Sequence, residues 1–182
     1  MGPMDDLASG ATSRARQARA ARETPVSECV KLLPIDLLLV SRDADPLTIV
    51  RDAAAQPATR VLGVVDPDGK LIGILPILRL VETVIARVSP ETLLAGDADL
   101  EEAARFGLEV GARTVEDVML PPLSIRASAT VDDAFRLMHA NHQSGLHVVD
   151  DGDRPTGYLD LLELALRYLE ALEPPHGPTA AG

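Results

Sequence analysis

Sulfur and aromatic chemistry are almost missing from this chain of 182 residues. Cys29 is the one cysteine, so no disulfide can form within the chain and no multi-cysteine zinc or iron–sulfur site can be built. With no histidine near it in sequence to act as a base, Cys29 reads as a small buried hydrophobe rather than a nucleophile. There is no Trp, and only two Tyr and two Phe, which argues against a base-stacking platform for single-stranded nucleic acid. Basic residues are also short, 17 against 28 acidic ones, and a net charge of −11 lacks the footprint of general nucleic-acid binding. Apolar runs such as 37–40 and 71–78 are strand-length, far below the roughly 20 residues that cross a bilayer. The N-terminus shows no positively charged segment followed by an apolar one, and a cytoplasmic protein with no membrane or nucleic-acid partner is expected.

What is present is said twice. The run Val64-Val65-Asp66-Pro67-Asp68-Gly69-Lys70-Leu71-Ile72-Gly73 returns as Val148-Val149-Asp150-Asp151-Gly152-Asp153-Arg154-Pro155-Thr156-Gly157, each a strand, a tight turn, a second strand and a glycine. Leu39, Arg42, Leu62, Leu78 and Leu80 likewise map onto Leu123, Arg126, Leu146, Leu162 and Leu164, at a constant offset and without a gap between Leu39 and Arg87. One such unit cannot bury its apolar face alone, so the two copies must pack on each other as halves of one body.

Start and stop signals divide the chain. Residues 1–26, rich in small residues and carrying Arg14, Arg16, Arg19 and Arg22, are expected to form a disordered basic arm. The first unit spans 27–88: a short helix from Ser27 to Leu33, a strand from Leu37 to Val40, and a helix begun by Asp45-Pro46. Two strands around Pro67-Asp68-Gly69 and a helix from Pro76 to Val88 complete it. A helical connector is expected over 89–113, its charges Asp97, Asp99, Glu101, Glu102 and Glu109 forming a solvated face rather than a metal site. The second unit, 114–172, repeats the order, and the prolines from Pro174 onward leave 173–182 as a disordered tail.

These features resemble those of CBS domains, the small regulatory modules named after cystathionine β-synthase. The similarity rests on the hydrophobic-Val-Val-Asp-turn-Gly hairpin, the glycines Gly73 and Gly157, the helices after them, and the lead-in Thr114-Val115-Glu116-Asp117-Val118-Met119. It implies a mixed α/β (α+β) fold of two pseudo-symmetric units, each strand-helix-strand-strand-helix, packed as one CBS pair (Bateman module). It further implies a homodimer formed through helices, and clefts that take adenosine-containing regulatory ligands (AMP, ADP, ATP or S-adenosylmethionine) with no required cofactor. With no other domain in view, action would be in trans on a protein partner, without catalysis.

The same resemblance directs attention to a Gly-hydrophobic-hydrophobic-Thr/Ser-x-x-Asp stretch, whose carboxylate would accept ribose hydroxyls. The first copy reads Gly73-Ile74-Leu75-Pro76-Ile77-Leu78-Arg79, placing a phosphate-compatible Arg79 where the carboxylate would be. The second reads Gly157-Tyr158-Leu159-Asp160-Leu161-Leu162-Glu163, where Glu163 can hold a ribose while Asp160 repels a phosphate. Asp160 and Glu163 have at the same time the spacing of a helix capping box. Ser124, Ile125 and His147, with Ser41 and Gly63 at nearby strand positions of the first unit, fall where similar proteins surround the base. His139, His142 and His147 are close in sequence but carry no decisive metal spacing. The expectation is a sensor of an adenosine-type ligand bound through Arg79, Ser124, Ile125, His147, Gly157, Asp160 and Glu163. The alternative is a dimeric adaptor that has lost ligand binding.

Overall fold

A computed structural model of the chain describes residues 15–30, 32–89 and 111–172. Most of the expected connector (90–110) and the expected tail (173–182) lie outside the described residues, as do the acidic residues Asp97 to Glu109.

Each unit is a three-stranded sheet with two helices. In the first, β1 (Leu39–Ser41) runs parallel to β2 (Val61–Val65), which is antiparallel to β3 (Leu71–Pro76). Helix α3 (Pro46–Ala55) links β1 to β2, and α4 (Ile77–Val88) follows β3. In the second, β4 (Ser124–Arg126), α5 (Val131–Ala140), β5 (Gly145–Val149), β6 (Pro155–Asp160) and α6 (Leu161–Leu172) repeat the order and the pairing. Even the register shift recurs, between Val64 and Val65 and between Val148 and Val149. The helices start where capping chemistry dictates: Asp45 accepts from the Leu47 N–H ahead of α3, and Thr130 with Asp133 closes a reciprocal capping box on α5.

The duplicated turns owe their identity to one carboxylate each. Asp66 Oδ1 accepts from the Asp68 and Lys70 amides, and Asp150 Oδ1 from the Gly152 and Arg154 amides. Gly69 takes a φ of 78°, and its counterpart Asp153 a φ of 61°, which Asp tolerates better than most side chains.

The gapless offset fails at one point. Leu39 pairs with Gly63, whereas Ser124 pairs with His147, so the first strand and helix of each unit are related by a shift one residue longer than the hairpin and final helix are. The segment between α3 and β2 (56–60) is one residue longer than that between α5 and β5 (141–144), and Leu39 corresponds to Ser124, not Leu123.

The unit boundaries also interleave. Helix α2 (Val26–Cys29), expected to belong to the first unit, buries Val26 and Cys29 in the core of the second, among Val131, Met138, Leu146 and Leu164. The lead-in of the second unit, with a 3₁₀ turn at Val115–Asp117, buries Ala112, Val115 and Val118 in the core of the first. The expected disordered arm is corrected over its last part: residues 15–23 form helix α1, and Ala21 and Thr24 are buried. An alanine-rich segment has high helix propensity, and its chain continues into hydrogen bonds from Val26 N–H to Ala129 O, Ser27 N–H to Ala127 O and Val131 N–H to Thr24 O.

The duplicated glycines make room for this exchange. A Cβ on Gly73 would sit 2.6 Å from Met119 Sδ and 2.9 Å from the Leu120 carbonyl; one on Gly157 would sit 2.8 Å from Val30 Cγ1. Leu120 exchanges two backbone hydrogen bonds with Ile74, extending the first sheet across the unit boundary.

Candidate functional site

The first-turn chemistry of α4 and α6 decides where polar groups are spent. At α6, Asp160 Oδ1 accepts from the Leu162 amide at 2.8 Å, and Glu163 Oε2 reaches back to the Asp160 amide at 2.9 Å. Glu163 Oε1 takes the Leu33 amide at 3.2 Å, tying down the exchanged lead-in of the first unit. Asp160 Oδ2 meets Arg60 Nε at 3.4 Å. Both acids are buried, and burial pushes the Glu163 carboxyl above its ordinary range. The capping-box spacing legible in the sequence is therefore realised, and it engages Asp160 Oδ1 and both Glu163 oxygens, while the buried Asp160 Oδ2 has no hydrogen bond among the described residues.

At α4 the equivalent positions are Pro76 and Arg79. Pro76 gives the helix no side-chain cap. Arg79 Nε donates to the Val118 carbonyl, holding the exchanged lead-in of the second unit, and no carboxylate among the described residues forms an ion pair with its guanidinium. Arg79 lines a cleft of about 650 Å³ at the junction of the units. From the first unit this cleft also takes Arg60, the first turn of α4 and Glu82; Leu120 and the 142–144 segment close it from the other side.

Of the residues expected to touch a ligand, only Arg79 lines this cleft. Gly157 accommodates Val30, and Ile125 is in the core of the second unit. Ser124 pairs with His147 in the sheet. His147 is buried between the two sheets, with a Cβ on Gly63 lying only 2.8 Å from its Nε2, and its ring meets Tyr158 edge-on at 5.5 Å. Neither ring nitrogen has a hydrogen-bond partner among the described residues, and burial lowers its pKa to about 4. Tyr158, also buried, accepts from the Arg60 amide at 3.2 Å, and burial raises its hydroxyl pKa to about 12. His139 lies 6.0 Å from the Phe135 ring, His142 lines the cleft and His147 is buried; no metal-binding group of three or more His, Cys, Asp and Glu occurs among the described residues. Arg60 and Ser144, equivalent positions at the starts of β2 and β5, both line the cleft, and neither carried a motif that would have singled it out.

Residues 115–170 match the CBS domain family. The chain carries a CBS domain. Solved CBS structures extend the likeness over both units. A CBS domain-containing protein from Thermotoga maritima is 23% identical, with a TM-score of 0.63 over 79% of this chain and 93% of its own. CBSX2 from Arabidopsis thaliana, solved in complex with AMP, is 20% identical, with a TM-score of 0.61 over 80% of this chain and 97% of its own. The CBS domain pair of protein MJ0100, solved with 5′-methylthioadenosine and S-adenosyl-L-methionine, is 18% identical, with a TM-score of 0.57 over 79% and 98%. No curated protein matches the sequence. The fold is that of a CBS pair, with the two units, the interleaved lead-ins and the junction cleft of this chain built on it. No helix among the described residues of this CBS pair is long and apolar enough to cross a membrane.

Proposed function

We propose that this CBS pair is a regulatory module that binds an adenosine-containing ligand in the cleft between its units and passes the occupancy to a protein partner. The carrying observation is the cleft itself, about 650 Å³ and lined from both units, which is ample for a nucleotide. The ligands of CBSX2 and MJ0100 support the chemical class. Arg79 already grips the second unit's lead-in at Val118, so a ligand engaging Arg79 acts on the contact that joins the units.

The readout surface in this proposal is the pair of final helices. Leu78, Val81 and Val88 on α4 and Leu162, Leu166 and Leu169 on α6 are exposed apolar side chains. These faces suit a second copy of the chain, giving a homodimer, and the same faces favour the alternative of a dimeric adaptor that uses no ligand.

Calorimetry with AMP, ATP and S-adenosylmethionine up to millimolar concentration tests the ligand reading. Binding by at least one, abolished in Ser144→Trp, which fills the cleft, is the expected result. Heat from none of the three would leave the adaptor.

A further inference from the structure

The two units differ in charge at the cleft, and this difference selects among adenosine ligands. We infer that the cleft takes a phosphorylated, anionic ligand, read through Arg79 with Arg60 in support, and discriminates against neutral nucleosides and cationic sulfonium compounds. The inference rests on the cleft being an adenosine-ligand site and specifies which members of that class enter it.

Among the described residues, two guanidinium groups line the cleft against one carboxylate, that of Glu82, with the His142 imidazole beside them. Arg60 is partly compensated by the buried Asp160, 3.4 Å away. Arg79 is not compensated in this way: among the described residues it makes no ion pair, and its Nε bond to the Val118 carbonyl leaves the charge in place. That bond fixes the side chain beside the cleft. A guanidinium presents five donors in a planar fork suited to phosphate, and it has no acceptor to offer a ribose hydroxyl. The first turn of α4 adds to the same bias. Asp160 caps α6 with its carboxyl group, whereas Pro76 offers no side-chain cap at the start of α4. A ligand phosphate near Arg79 thus meets positive side chains without the carboxylate that guards the other helix. A cationic sulfonium would meet the opposite balance.

Calorimetry at matched ionic strength with AMP, adenosine and S-adenosylmethionine provides the test. Charge-assisted hydrogen bonds are each worth about 1.5–3 kcal/mol, so AMP is expected to bind on the order of 10- to 100-fold more tightly than adenosine. Raising salt should weaken AMP and leave adenosine nearly unchanged. Arg79→Gln keeps a donor for the Val118 carbonyl but removes the charge, and should bring AMP down to the affinity of adenosine. Glu82→Gln removes the opposing carboxylate and should tighten AMP about two- to threefold, a change in the direction that damage to the fold would not produce. Adenosine or S-adenosylmethionine binding as tightly as AMP overturns the inference while leaving the adenosine-ligand cleft standing. Binding by none of the three removes both.

Discussion

The first turns of α4 and α6 occupy equivalent places in two copies of one unit, yet one is closed on itself and the other is open. At α6, Asp160 Oδ1 and both Glu163 oxygens satisfy the helix start and clamp Leu33, while Asp160 Oδ2, without a hydrogen bond among the described residues, keeps only an ion-pair contact with Arg60. At α4, Pro76 caps nothing, and Arg79 makes one bond to Val118 while its charge faces a cleft. Both positions keep the structural task of gripping the exchanged lead-in. Glu163 does so by accepting from an amide and Arg79 by donating to a carbonyl. Duplication followed by substitution at two residues thus separates a scaffold half from a half with chemistry to spare.

The largest expected effect breaks the closed side. Glu163→Leu strips partners from the buried Asp160 amide and the half-buried Leu33 amide, and leaving both donors unsatisfied costs on the order of 3 kcal/mol. Arg79→Leu removes only one bond to a carbonyl on a half-buried side chain, and about 1 kcal/mol is expected. Urea unfolding of the two variants side by side checks the ordering; equal losses would mean the two helix starts are not specialised.

The asymmetry continues to the packed centre, where His147 and Tyr158 face Gly63 and Ile74. Folding holds the His147 imidazole neutral, with its pKa lowered by burial to about 4. The unfolded chain takes up that proton below the ordinary value of 6.5, so between about 6.5 and about 4 the unfolded state binds more protons. Stability should therefore be full near neutrality and fall as the pH drops through this window, by roughly 3 kcal/mol at its acid end. Glu163, whose carboxyl is shifted upward by burial, works in the opposite sense, so the difference between wild type and His147→Leu isolates the histidine. That variant also discards two ring nitrogens that have no hydrogen-bond partner among the described residues, and should at least match wild type at pH 7 and surpass it at pH 4.5 in urea titrations. A difference that does not change with pH would show that the ring is solvated.

How much of this was legible beforehand depends on how local each signal is. The first turn was legible from Pro67-Asp68-Gly69 and the second from its repetition, because turn chemistry is local; the repeated Asp66 and Asp150 gather amides only two and four residues away. Asp160 and Glu163 announced a capping box for the same reason. Gly73 and Gly157 stood out as repeated, but the side chains that require them, Met119 and Val30, come from the opposite unit's lead-in, and no local pattern reports such an exchange. The slip in the first strand was hidden because Leu37-Leu38-Leu39-Val40 has no apolar–polar alternation to fix a register. The cleft eluded the sequence for a further reason: Arg60 and Ser144 acquire a common role only when β2 and β5 are brought together.

The finest test transplants the closed design into the open half. Pro76→Asp alone supplies a cap for the Leu78 amide, but it also introduces a new backbone amide at a position where the second unit uses Glu163 to satisfy it. The double variant Pro76→Asp, Arg79→Glu provides both halves of the capping box. It gains about 1 kcal/mol from the cap and forfeits a similar amount at the Val118 carbonyl. Its unfolding midpoint should consequently lie within a few degrees of the parent's, while two carboxylates replace the Arg79 cation at the cleft. If the open helix start exists for an anion, AMP binding disappears from a protein of unchanged stability. Retained binding would place the ligand's phosphate away from α4 and assign the difference between the two helix starts to the exchanged lead-ins alone.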